Sequence, residues 1–147
     1  MRTTFKIASL LIILFTSCVG TLQAQEKRQW TKEMLEYKHN YLVSEVEMST
    51  SQRDKFLPLY QAMEKEIFSV YRNARDQAKK VSGTSGKASD NEYYTAAKTM
   101  AEVKYKVGEI ENRYFNQFAK ILSKKQLFLL KKAELKFTKD MVGKKKK

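Results

Sequence analysis

The stretch FLPLYQAMEKEIFSVYRNARDQAKKVSGTSGKASDN, residues 56–91, decides the fold class. Phe56, Tyr60, Met63, Ile67, Val70, Ala74, Ala78 and Val81 recur at steps of three and four. At about 100° per residue they share a narrow arc, which marks a helix with one buried face. The Gly- and Ser-rich segment at its end stops the pattern. Ser89, with Glu92 three residues on, forms a capping box that starts another helix. That helix carries Tyr93, Ala97, Met100, Val107, Ile110, Tyr114, Phe118 and Ile121 and is expected to run to about residue 121. Two helices of roughly thirty residues across a short loop make an antiparallel hairpin. Pro58 lacks a backbone donor and is expected to kink the first of them.

Shorter helices flank the pair. One is expected over residues 30–46, capped by Thr31, with Trp30, Met34, Tyr37, Tyr41 and Leu42 along one side. The chain then turns within SEVEMSTS, and Ser49 opens the first long helix. A last helix begins at Ser123, carries Leu127, Leu130, Ala133, Phe137 and Met141, and is expected to stop at Gly143. No segment alternates like a strand. The expected fold is all-α: an elongated, bent helical hairpin of about four helices, two long and two shorter. So thin a body buries little surface alone, and an antiparallel, cradle-like homodimer is expected to complete it.

Upstream, Arg2 and Lys6 precede an apolar run, Ile7 to Phe15, and small and polar residues follow. This is the layout of a secretory signal peptide over residues 1–24, cut after Ala24, which implies a periplasmic protein. FTSC offers an alternative cut at Cys18 that leaves a lipid-anchored lipoprotein, but Phe15 departs from the aliphatic residue expected there. A cut after Ala24 takes 24 of the 147 residues and leaves 123, which suits one domain over residues 25–142 and a basic tail over 143–147. It also removes Arg2 and Lys6, leaving 27 basic residues against 16 acidic, a net charge of +11. The sole Cys leaves with the leader, so packing alone must hold the domain. Export argues against a nucleic-acid partner despite the charge. Anionic membrane surfaces and acidic unfolded chains remain as partners.

No residue set suggests catalysis or a cofactor. SGTSGK has neither the spacing nor the preceding strand of a phosphate-binding loop. Glu109 and Glu111 lie among lysines and read as a solvated face. His39, with Glu36 three before it, is the one metal-ligand candidate, and it reads first as a surface pair. A metal site built on it would need a second copy of the chain.

Two short stretches match each other. Met48-Ser49-Thr50-Ser51-Gln52 and Leu122-Ser123-Lys124-Lys125-Gln126 both place an apolar residue, a Ser and a Gln at the same spacing. Each Ser is expected to cap a helix while its Gln reaches back to the cap's own N–H. Leu122 and Leu127 are placed to clamp the second cap as a hydrophobic staple, whereas Arg53 takes the equivalent position in the first. The repeat resembles the LTxxQ motifs of the Spy/CpxP family, with Ser for Thr in both copies and Met for Leu in the first. Phe56-Leu57-Pro58-Leu59-Tyr60 and Ala133-Glu134-Leu135-Lys136-Phe137 also look like Bacteroidetes variants of that family.

The resemblance implies a periplasmic helical hairpin that dimerises into a cradle. It further implies a role as an ATP-independent chaperone for unfolded client proteins. The alternative it carries is an accessory of an envelope sensor or anti-sigma protein, with metal sensing less favoured. A Skp-like basic chaperone is a remoter reading, since no segment suits a trimerising sheet. For the chaperone, Tyr94, Lys98 and Tyr105 are expected on one line, well away from the apolar stripe. Leu57 and Phe68, eleven residues apart at the flank of the first long helix, are further candidates for that surface, and read first as packing on the first helix, the last helix or a second subunit.

Overall fold

The computed structural model describes residues 32–144, with side chains as far as Asp140. The expected export signal with Cys18 and Ala24, the expected cap Thr31, Trp30, and Lys145 to Lys147 lie outside the described residues. Among the described residues all regular structure is helical: α1 over residues 32–45, α2 Thr50–Ser82, α3 Asp90–Ala101, α4 Val103–Phe118 and α5 Lys124–Lys144.

The chain divides into two compact units at Leu42/Val43. In the first, residues 32–42 form the opening turns of α1. The expected stripe is corrected there: Tyr37 is 57% exposed, while His39 and Leu42 are buried. His39 is therefore not a surface residue, while Glu36 is exposed. Its spacing of three from Leu42 puts it on the buried face instead.

The second unit contains the hairpin. It opens on a turn in which Met48 N–H donates to Val43 O and Glu47 N–H to Ser44 O, both at 3.1 Å. Glu47 adopts a positive φ of 53°. This is the bond pair of a Schellman stop, here with a Glu in the left-handed position that glycine usually takes. α2 then runs unbroken through Pro58 to Ser82. It buries Phe56, Tyr60, Met63, Ala74 and Val81, with Ile67, Val70 and Ala78 half-buried, as the stripe predicts. The connecting loop closes with Lys87 N–H donating to Thr84 O at 3.0 Å. Its central residues, Ser85 and Gly86, both have positive φ, 50° and 81°, the sense of a type I′ turn. Ser89 caps α3 with the predicted box: its hydroxyl accepts from Glu92 N–H, and the Glu92 carboxylate accepts from Ser89 N–H.

The expected third helix is two segments. The chain hitches at Glu102, yet Glu102 N–H still donates to Lys98 O and Lys106 N–H to Glu102 O, each at 3.0 Å. The helical phase is thus kept across the hitch. What changes is the buried face. Ala96 is buried and Thr99 and Val103 half-buried, whereas Tyr93, Ala97 and Met100 are exposed. The stripe runs through Ala96, Thr99, Val103, Val107, Ile110, Tyr114 and Phe118. Facing small side chains let two helices approach closely, and that seam has no room for Tyr93 or Met100.

The pairing is antiparallel. Lys80 meets Glu92 at 3.5 Å, Glu66 bonds Arg113 and Tyr114, and the Phe56 ring lies 4.8 Å from that of Phe118. Partners advance on α2 as they retreat on α3 and α4. At the far end Phe56, Tyr60, Tyr114 and Phe118 form one aromatic cluster with centroids 4.8–6.3 Å apart. α4 ends at Phe118 rather than near 121, and a tight turn leads to Ser123. α5 continues through Gly143 to Lys144, so Gly143 does not stop it; a single glycine weakens a helix without ending it.

Candidate functional site

The two matched motifs come together. Ser49 and Ser123 each accept from the N–H of the Gln three residues on, at 3.2 Å, and each Gln side-chain oxygen accepts from its own cap's N–H, at 3.1 and 3.0 Å. Leu122 and Leu127 are both buried, as a staple requires. Beyond these local boxes, Gln52 Nε2 donates to Gln126 Oε1 at 2.9 Å, and Gln126 Nε2 donates to Gln52 Oε1 at 3.0 Å. The second proton of Gln52 Nε2 goes to Ile121 O at 3.1 Å. That of Gln126 is shared between Glu47 O at 3.3 Å and Val46 O at 3.4 Å. Ile121 and Glu47 each lie two residues before the opposing cap, so the clasp has a pseudo-two-fold symmetry.

Every donor and acceptor of both carboxamides is used. Only a carboxamide can do this. A pair of carboxylates at this separation would repel and would lack the protons for the carbonyls. The clasp sets α2 and α5 side by side at their N-termini. Eight residues further along, Tyr60 O–H donates to Glu134 Oε1 at 3.0 Å. Residue pairs 52/126 and 60/134 share the same offset, so the two helices run parallel over these turns. Burial pushes the Tyr60 hydroxyl far above the usual tyrosine range, and the Glu134 charge adds to it. Tyr60 therefore stays a donor at any physiological pH.

The exposed apolar residues lie elsewhere. On α2, Glu66 and Lys80 fall on one flank of the buried stripe, with Phe68 and Tyr71 on the other, at about 100° per residue. On α3 and α4, Glu92 and Arg113 fall on one flank, with Tyr93, Met100 and Phe115 on the other. Glu66–Arg113 and Lys80–Glu92 bridge the first edge of the hairpin. In an antiparallel pair like flanks lie on the same side, so the second edge gathers Phe68, Tyr71, Tyr93, Met100 and Phe115. All five are exposed. The register of the cited pairs places Met100 opposite about residue 75, one turn beyond Tyr71. Cations accompany them: the Arg72 guanidinium sits 4.9 Å above the Phe68 ring, and Arg75 and Lys104 occupy the same flanks.

The bridged edge is electrostatically settled by contrast. A hydrogen bond from Tyr114, at 2.6 Å, and then the Arg113 charge hold the Glu66 carboxyl below its ordinary range.

Of the residues expected to form a binding line, Tyr94 and Tyr105 are 67% and 68% exposed on the outer side of the hairpin. The Tyr105 hydroxyl donates to Glu109 at 2.7 Å, and Lys98 lies 3.9 Å from Glu102. Phe68 is 56% exposed, as a candidate surface residue requires. Leu57 is half-buried. Sequence reasoning missed Tyr71, Met100 and Phe115 as surface. It assigned Met100 to the core, and the run of small residues at 96 and 99 was the signal that could have freed it. Among the described residues no three His, Cys, Asp or Glu side chains cluster as a metal site.

Comparison with protein-family models, with curated proteins and with solved structures finds no match for this chain. The reading of function rests on the residues themselves.

Proposed function

We propose that this chain is an exported, Spy/CpxP-like holding chaperone that binds unfolded polypeptide along the open edge of its hairpin. The observation that carries the proposal is the row of exposed aromatic and Met side chains on one edge, set among arginines and lysine, while the core beneath is already filled. Aromatic rings and a thioether accept many apolar shapes without fixed geometry, which suits clients of varied sequence. A net charge of +11 after loss of the leader draws acidic segments to the surface and speeds encounter.

The size of the edge favours transient holding over a stable single partner. If four such side chains each give up roughly 60 Å², the gain is about 6 kcal/mol at 25 cal/mol per Å². Association costs at least about 4 kcal/mol of that. Binding is therefore weak and fast unless charge or a second copy adds to it, which fits a client rather than a dedicated envelope sensor. Pairing of two copies into a cradle belongs to the same proposal and doubles the available edge.

Light scattering during dilution of an unrelated denatured enzyme tests this. The protein is expected to suppress aggregation when present in excess over the client, and Tyr71→Ser with Met100→Ser to remove most of that effect. Tyr94→Ser with Tyr105→Ser reports whether the outer line contributes. No suppression, together with co-purification of one membrane protein, would instead make the chain a signalling accessory.

A further inference from the structure

We infer that the outward face of α5 docks on an anionic lipid bilayer. This is separate from the client-binding edge and does not depend on it. α5 buries Leu127, Leu130 and Ala133 on one side. On the opposite side Phe128 and Leu135 stand out, 67% and 74% exposed. They are seven residues apart, so they lie on one line along the helix about 10 Å from each other. Lys124, Lys131, Lys132 and Lys139 border them, all exposed.

The charge on this face has one sign. Lys124–Lys144 contains seven lysines and two acidic residues, Glu134 and Asp140. Glu134 turns inward, where it accepts from Tyr60 and pairs with Lys131 at 2.6 Å. Lys136 pairs with Glu45 at 3.7 Å. Lys124, Lys132 and Lys139 have no carboxylate within ion-pair distance among the described residues. Beyond the helix the sequence adds three more lysines, Lys145 to Lys147, so ten of its last 24 residues are lysine.

A bilayer is the occupant this chemistry selects. A single convex helix ridge with two apolar anchors and a uniform cationic border presents no pocket for a protein's side chains. A lipid interface needs none: it accepts apolar anchors at any lateral position, while long lysine stems reach the headgroups. Anionic lipid supplies the opposite charge, and each lysine near such a surface strengthens binding about fivefold. Among the described residues no helix is long and apolar enough to cross a membrane, so the mode is lying on the surface.

Vesicle flotation tests the inference with the chain from Gln25 to Lys147, so that neither the apolar leader nor an acyl group on Cys18 contributes. Vesicles of phosphatidylcholine with roughly 30 mol % phosphatidylglycerol should retain the protein, and pure phosphatidylcholine should not. Raising salt from about 0.1 to about 0.5 M should release it. Phe128→Ser with Leu135→Ser should weaken retention about tenfold, and Lys124→Gln, Lys132→Gln and Lys139→Gln together about a hundredfold. Both sets change exposed residues, and unchanged far-UV circular dichroism confirms folding. Equal retention on neutral vesicles, or retention that neither set alters, overturns the proposal. So does a Phe128→Ser variant that only converts a dimer to a monomer in sedimentation, which would make this face a contact between copies.

Discussion

Replacing Gln52 and Gln126 by Ala, singly and together, probes the clasp that joins α2 to α5. Gln126→Ala removes three bonds of 3.0 Å or less, two of them to Gln52, besides the longer pair to Glu47 and Val46. Gln52→Ala removes the same two and those to Ser49 N–H and Ile121 O. At about 1 kcal/mol net per bond, counting the shared donation to Glu47 and Val46 as one, each single change should cost about 4 kcal/mol. The double variant loses the shared bonds only once and should cost about 6 kcal/mol, which leaves a coupling of about 2 kcal/mol. Alanine's higher helix propensity offsets a few tenths of each loss. Urea unfolding followed by circular dichroism, at fixed protein concentration, reads this as midpoint shifts of roughly 2 M per single variant with the slope unchanged. Single costs that add to within about 0.5 kcal/mol would refute the reciprocal pairing.

Other expectations follow from the same packing. Phe118→Ala empties the centre of the aromatic cluster and should cost about 3–5 kcal/mol, read from the same urea curves. Tyr60→Phe keeps the ring and removes only the donor to Glu134, so its cost should stay near 1 kcal/mol because Lys131 still pairs with that carboxylate. Acid should weaken the fold through Glu66, whose folded-state pKa lies below its ordinary 4.5. That contribution is complete above pH about 4.5 and disappears as the pH falls through the lowered value. Glu66→Gln should therefore lower the melting temperature at pH 7 and leave it unchanged near pH 2.

The local chemistry was legible because it is local. Each of the three capping boxes spans four residues, and the α2 stripe needs only periodicity. The clasp was not, since Gln52 and Gln126 stand 74 residues apart. Only the repetition of the motif linked the two copies. The phase of α3 was misread for a physical reason. Periodicity rewards large apolar residues such as Tyr93 and Met100, whereas a close two-helix seam takes small ones such as Ala96 and Thr99. His39 followed the same logic in reverse, a polar residue carried onto a buried face by the spacing of its neighbours. Exposure of the second edge follows from the misread phase and could not be seen before it was corrected.

The central claim is that the edge bearing Phe68, Tyr71, Tyr93 and Met100 holds unfolded chains. Its most direct test is a fluorescence titration of a permanently unfolded, acidic protein, such as reduced and carboxymethylated α-lactalbumin. The account predicts saturable, salt-sensitive binding that weakens at least tenfold in Phe68→Ser with Tyr71→Ser and Met100→Ser, with helicity unchanged. Wild-type affinity in that triple variant would contradict it.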